Sequence, residues 1–175
     1  MKKIFSFLVL LLAGHTLQAQ DSTRLPQEFI GTWKGTLQWL VAGKAPVTYS
    51  TRLTIHPADT AGQYTWTIAY GDDGKDNRPY LLKPVDPALG HWVVDEGDGI
   101  VLDSYIHGNS IHGAFTVGEA TLVDNYKVEG DKMFVEFFTI KLKEKKTSGK
   151  GTADTPFVDS YKIANYHTGV LLKVN

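Results

Sequence analysis

The stretch GTWKGTLQWLV at residues 31–41 gives the clearest indication of the fold, because its side chains alternate in character with a period of two. Odd positions include Trp33, Leu37 and Trp39, whereas the even positions are mostly polar. Successive side chains of a β-strand point to opposite faces of the sheet. The alternation therefore predicts a strand with one face in a core and the other in water.

The same alternation continues along the chain and predicts an all-β protein. Short links such as Gly108-Asn109 and Gly130-Asp131 are typical of turns between antiparallel neighbours. Strands are predicted at residues 32–42, 47–55, 63–70, 91–95, 99–107, 110–117, 120–129, 132–142, 157–166 and 168–174.

Two segments interrupt the pattern. Residues 71–90 contain three of the seven prolines, and they predict a long connection with a short strand at 80–82, acting as a lid or rim of a binding site. Residues 143–156 are charged and rich in Gly, Ser and Thr, which predicts a mobile loop.

Many short strands with tight links favour an antiparallel up-and-down β-barrel of about 8–10 strands, with a β-sandwich as the alternative. Closure into a barrel pairs the backbone groups that an open sheet would leave exposed at its edges. We expect residues 21–175 to form this single domain.

Composition excludes several classes of protein. The 175 residues contain no cysteine, which excludes disulfide bonds, Cys-based metal sites and a Cys nucleophile. Lys plus Arg total 18 and Asp plus Glu total 19, giving a formal net charge of −1. Without a basic excess, nucleic acid is not expected as a partner.

Residues 1–20 have the pattern of a secretory signal peptide. Two lysines precede an apolar run at residues 4–13, which is too short to span a bilayer as a helix. We expect cleavage after Ala19 or Gln20, export to the periplasm or the extracellular space, and no stable membrane anchor. Loss of Lys2 and Lys3 takes the formal charge from −1 to −3.

Gly31-Thr32-Trp33 resembles the Gly-x-Trp signature that opens lipocalin and wider calycin barrels. The resemblance implies a barrel whose closed end is plugged by Trp33. Lipocalins often stack a last-strand Arg on this Trp, but no Arg follows Arg78 here, so Lys162 or Lys173 would substitute in part. With its export signal, the chain looks like uncharacterised calycin-like proteins exported by bacteria.

Ten-stranded relatives, including fatty-acid-binding proteins and haem-binding nitrobindins, are equally compatible with the pattern. His167 lies in the region where nitrobindin-like barrels place their haem ligand, but the flanking motif of that family is not evident here. We therefore predict no cofactor.

Aromatic side chains on the predicted inward faces suggest a pocket for a small, largely apolar ligand. A filled core is the alternative explanation, since buried aromatic residues are ordinary. In that case the protein would be an interaction module with no pocket. The residues predicted to bind the ligand are Trp39, Tyr49, Trp66, Tyr70, Tyr126 and Phe137.

Metal sites have weak support in the sequence. His107 and His112 flank a predicted turn with Asp103 nearby, but their spacing matches no standard ligand motif. The acidic stretches at 72–77 and 95–98 do not fit a calcium-binding loop and are better explained as turns. No metal is predicted.

Catalysis also has little support, because the sequence contains none of the usual hydrolase, protease or phosphate-binding motifs. Glu136 is unusual, since Phe134 and Phe138 share its strand face. If that face is inward, Glu136 is a desolvated carboxyl between two phenylalanines; if it is outward, the two phenylalanines offer a partner surface. Catalytic residues are not predicted, although Glu136, Asp103 and His107 are the first candidates for a small hydrolase or isomerase.

Overall fold

The alternating segments form ten antiparallel strands that close into a barrel in a computed structural model, which describes residues 25–72 and 74–174. Two 3-10 turns lie at Gln27–Phe29 and Pro87–Leu89. The strands are β1 (Gly31–Leu40), β2 (Val47–Ile55), β3 (Tyr64–Tyr70), β4 (Asp76–Asp86), β5 (His91–Asp95), β6 (Val101–His107), β7 (Ser110–Val117), β8 (Ala120–Glu129), β9 (Lys132–Ser148) and β10 (Val158–Val174).

Each strand pairs with its neighbours in chain order, and β1 pairs with β10 to close the sheet. This up-and-down connectivity confirms the predicted all-β antiparallel barrel and excludes the sandwich. The barrel is compatible with a calycin-like fold. Within the described ranges, no helix is both long and apolar enough to cross a membrane. The predicted signal peptide and its cleavage site lie outside the described residues.

The prediction of a long connection at residues 71–90 is wrong, because most of it is strand β4. Pro79 and Pro84 lie within β4, opposite Thr67 and Trp92. A proline removes one N–H from the ladder, but after Pro79 the alternation still turns Tyr80 and Leu82 inward, and the register shifts only at Pro84. This segment is therefore barrel wall, and not a lid.

The predicted loop at residues 143–156 is shorter than expected, because residues 143–148 belong to β9. Strands β9 and β10 continue past the barrel as a two-stranded ribbon, leaving only 149–157 between them. Charges pair across the ribbon: Lys145 Nζ lies 2.5 Å from Asp159 Oδ2, and Lys162 Nζ lies 2.6 Å from Glu144 Oε2. Opposite charges that face each other on neighbouring strands stabilise the pairing of those strands. Part of the charged segment therefore forms a paired ribbon and not a loop.

One end of the barrel is closed by packed side chains around Trp33. This residue is fully buried, and its indole Nε1 donates a hydrogen bond to the Phe29 carbonyl oxygen at 2.9 Å. Lys173 Nζ lies 5.0 Å from the centre of the Trp33 ring and 3.3 Å from the Glu28 carbonyl oxygen. Lys173 therefore covers the ring, whereas Lys162 lies in the ribbon.

Replacing Lys173 tests the contribution of this cation–π contact. We expect Lys173→Gln to lower the free energy of unfolding by about 1 kcal/mol, since the ring loses its cation. Lys173→Arg keeps a cation over the ring and is expected to retain most of the stability. Urea denaturation followed by tryptophan fluorescence measures both.

Lys132→Gln is the matched control, because Lys132 is an exposed residue at the same end of the barrel. Equal losses for Lys132→Gln and Lys173→Gln would contradict the cation–π assignment.

Candidate functional site: an aromatic cavity with a buried carboxyl

The open half of the barrel contains a cavity of about 430 Å³. The alternative of a filled barrel is therefore wrong for this half of the molecule. Aliphatic side chains from five strands line the cavity together with aromatic rings. The aliphatic lining consists of Ile68, Val94, Leu102, Ile111 and Leu122.

Five of the six side chains predicted from the sequence line this cavity: Tyr49, Trp66, Tyr70, Tyr126 and Phe137. Their rings touch edge to face, which is a favourable geometry for aromatic pairs. The ring centres of Trp66 and Tyr126 are 5.0 Å apart, and those of Tyr126 and Phe137 are 5.6 Å apart. The alternation of these strands thus identified a connected group of rings, in which Trp66 on β3 meets Tyr126 on β8 across the barrel interior.

The sixth predicted residue, Trp39, lies near the end of β1 at the rim. Its side chain is 39% exposed and does not line the cavity. It stacks instead on His167, with ring centres 6.1 Å apart and planes 22° from parallel. Trp39 therefore contacts the site through a lining residue.

His167 lines the cavity from β10 and shares a hydrogen bond with a tyrosine. Its Nδ1 lies 2.7 Å from the Tyr49 hydroxyl oxygen, and its ring packs against Phe137. Burial lowers the pKa of His167, because the cavity wall disfavours the charged imidazolium. The neutral ring is therefore favoured, so His167 adds no charge to the cavity wall.

Asp124 is a buried acidic residue of the lining that the sequence analysis did not select. It lies on β8, directly opposite Gly113 on β7 and Phe137 on β9. Burial raises its pKa to about 6, and a hydrogen bond from the Gly113 N–H acts in the opposite direction. The sequence does contain a signal for this residue: Asp124 stands two residues from both Leu122 and Tyr126, which face inward, so it shares their face of the strand.

Glycine at position 113 makes room for the Asp124 carboxyl. A Cβ at this position would lie 2.8 Å from Asp124 Oδ2, closer than real contacts allow. No cation among the described residues contributes to the pKa of Asp124. The cavity wall thus holds a largely desolvated carboxyl with one backbone donor.

The mouth of the cavity carries a second group of charges. Arg78 pairs with Asp76 through two hydrogen bonds of 2.9 and 3.2 Å, and its guanidinium lies 5.2 Å from the centre of the Tyr70 ring. Glu96 also lines the cavity, beside Tyr80. Because Arg78 is already paired with a carboxylate, the mouth offers little free positive charge.

Glu136 faces outward, which settles the orientation left open by the sequence. The Tyr166 hydroxyl donates a hydrogen bond to Glu136 Oε1, and Asn125 Nδ2 lies 3.4 Å from Oε2. Next to it, the rings of Phe138 and Tyr166 stack with centres 4.6 Å apart on the outer surface. Glu136 therefore belongs to a surface patch outside the barrel.

The three candidate catalytic residues do not converge on one site. Glu136 lies on the outer surface, and Asp103 pairs with His91 Nε2 at 2.7 Å. His107 lies against His112 beside the β6–β7 turn, with ring centres 5.7 Å apart. No single substrate-sized site joins these groups, so this set offers no acid–base pair.

The acidic stretches form turns and ion pairs. Asp95 Oδ1 accepts a hydrogen bond from the Gly97 N–H at 2.8 Å, and Asp98 Oδ1 accepts one from the Ile100 N–H at 3.1 Å. Asp76 is held by Arg78. Across residues 25–72 and 74–174, no group of three or more His, Cys, Asp or Glu side chains is arranged to hold a metal ion.

Comparisons with known proteins add no relative to this description. Neither the protein-family models nor the curated proteins include a match to the chain.

The raised pKa of Asp124 predicts how stability depends on pH. Its value of about 6 lies above the ordinary 3.8, so the stabilising effect of protonation is complete below about pH 4 and is lost as the pH rises through about 6. We expect the free energy of unfolding of Asp124→Asn, relative to wild type, to increase over this window by roughly 3 kcal/mol. Urea denaturation between pH 4 and pH 8 measures the difference.

Asp131→Asn serves as the control, since Asp131 is an exposed carboxylate in a turn at the closed end. Its difference from wild type is expected to stay nearly constant with pH. An equally flat profile for Asp124→Asn would show that the Asp124 carboxyl is not desolvated.

Proposed function

We propose that this protein is an exported, lipocalin-like binding protein that holds a small, largely apolar ligand inside its barrel. The observation that carries the proposal is the cavity of about 430 Å³, walled by aromatic and aliphatic side chains and closed below by Trp33. Pockets for small molecules are typically concave, mostly apolar and in this range of volume.

Binding would derive mainly from burial of the ligand's apolar surface. Removal of apolar area from water contributes roughly 25 cal/mol per Å² before the costs of association. Trp66, Tyr126 and Phe137 supply a large rigid wall, and Tyr49 with Tyr70 extends it towards the mouth. Trp39 would contribute at the rim, where it stacks on His167.

The closed end supports the resemblance to lipocalin and calycin barrels. A 3-10 turn precedes Gly31-Thr32-Trp33, the indole plugs the barrel, and a last-strand cation covers it. Two features differ from the usual lipocalin pattern: the cation is Lys173 instead of arginine, and the barrel has ten strands. Ten-stranded calycin relatives share the second feature.

Export is proposed from the pattern of residues 1–20. The mature protein would act in the periplasm or outside the cell, without a stable membrane anchor and without a nucleic-acid partner. A chain without cysteine gains no disulfide in such a compartment, so its stability would depend on packing and on the closed backbone ladder.

A protein partner on the outer face of β9 and β10 is the second candidate function. The observation that favours it is the exposed stack of Phe138 on Tyr166, with Val170 and Leu172 exposed on the same strand. Exposed aromatic residues of this kind are frequent in interfaces. The cavity supports ligand binding more strongly than the exposed patch supports a protein partner, because the cavity is already a formed concave site.

A filling substitution tests the cavity directly. Leu122→Trp places a larger side chain into the cavity, whereas Val123→Trp, one residue further along β8, adds the same group to the opposite face. We expect wild type and Val123→Trp to bind the neutral dye N-phenyl-1-naphthylamine, measured by its fluorescence increase. For Leu122→Trp we expect at least a tenfold loss of affinity, because the dye and the new indole compete for one volume.

Thermal unfolding of both variants checks that they fold. Absence of dye binding by the wild-type protein, or equal losses for the two variants, would contradict binding inside the barrel.

A further inference from the structure

The cavity contains one feature that an apolar ligand alone would leave unmatched, namely the Asp124 carboxyl. A carboxylate in an apolar wall is costly unless it is paired and hydrogen-bonded. Here the Gly113 N–H is the donor that lowers its pKa, and no described cation does so. The position is nevertheless fitted to the carboxyl, since a side chain at residue 113 would collide with it.

Aromatic residues neighbour this carboxyl in the barrel interior. Phe137 lies directly opposite Asp124 on β9, and Tyr126 lies two residues further along β8 on the same face. Trp66 meets Tyr126 edge to face, with ring centres 5.0 Å apart. A carboxylate among aromatic faces is a favourable environment for an organic cation, which gains both an ion pair and cation–π contacts.

The charges that line the cavity favour the same sign of ligand. Among the described lining residues, Asp76, Glu96 and Asp124 contribute carboxyl groups and Arg78 is the single guanidinium, whereas the Asp103 side chain is mostly exposed beside inward-facing Leu102 and Ser104. Asp76 pairs with Arg78 and Asp103 pairs with His91, which leaves Glu96 at the mouth and Asp124 inside. An anionic ligand would find Arg78 already occupied and Asp124 repulsive.

We propose that the ligand of this cavity carries a protonated amine that pairs with the Asp124 carboxylate, while its apolar part packs against Trp66, Tyr126 and Phe137. This inference rests on the proposed binding function and adds the chemical class of the ligand: an aromatic or aliphatic primary amine of modest size. Glu96 at the mouth attracts the same cation before it enters.

Three probes with one naphthalene ring test the proposal by isothermal titration calorimetry at pH 7.5: 2-naphthylmethylamine, 2-naphthylmethanol and 2-naphthoic acid. We expect the amine to bind roughly 10- to 100-fold tighter than the alcohol, the range for a hydrogen bond to a charged group. The acid is expected to bind most weakly, because it meets Asp124 with like charge.

Asp124→Asn is expected to abolish the preference for the amine and to leave the affinity for the alcohol within about twofold of wild type. Binding of the alcohol also demonstrates that this variant is folded. Asp131→Asn removes the same charge outside the cavity and is expected to retain the preference. These two variants separate a local ion pair from a change in overall charge.

Equal affinities for amine and alcohol, tightest binding of the acid, or a preference that persists in Asp124→Asn would overturn the amine proposal and leave the binding function standing. The same holds if the neutral dye binds wild type but the amine does not. Failure of the dye and all three probes to bind wild type would overturn both the binding function and the amine proposal.

Discussion

The backbone hydrogen bonds between β1 and β10 hold the barrel closed. Residues Thr32–Leu40 form a continuous antiparallel ladder with Tyr166–Val174, and this ladder turns an open sheet into a barrel. Two glycines on facing strands permit it: a Cβ at Gly35 would lie 2.2 Å from the Val170 carbonyl oxygen, and one at Gly169 equally far from that of Thr36. Closure removes both sheet edges and sets the width of the interior.

In the closed barrel, the register of strand pairing places one row of residues side by side at the cavity. Asp124, Phe137, His167 and Trp39 lie directly opposite one another on the four successive strands β8, β9, β10 and β1. The first three line the cavity, and Trp39 continues the row at the rim. A shift of one residue in any of these pairings would turn that strand's share of the wall outward, so the chemistry of the site and the stability of the sheet are specified together.

Alternation was sufficient to predict most of the strands, and five of the six aromatic residues that it selected line the cavity, because inward and outward faces differ clearly in polarity there. It failed in β4, where prolines resembled loop punctuation although Tyr80 and Leu82 kept the period. It left Glu136 undecided, since both faces of β9 carry phenylalanine. Asp124 escaped notice because a single acid in an apolar face resembles a surface residue until the neighbouring strands show what it faces.

The ladder between β1 and β10 also has a kinetic consequence. Its partners stand at opposite ends of the described sequence, so the contacts that complete the barrel are among those with the largest sequence separation. Such contacts form late and slow folding, because loop-closure entropy is lost before they form. Until β10 is synthesised, β1 has one unpaired edge, and during that interval a nascent chain is most exposed to mispairing with other strands.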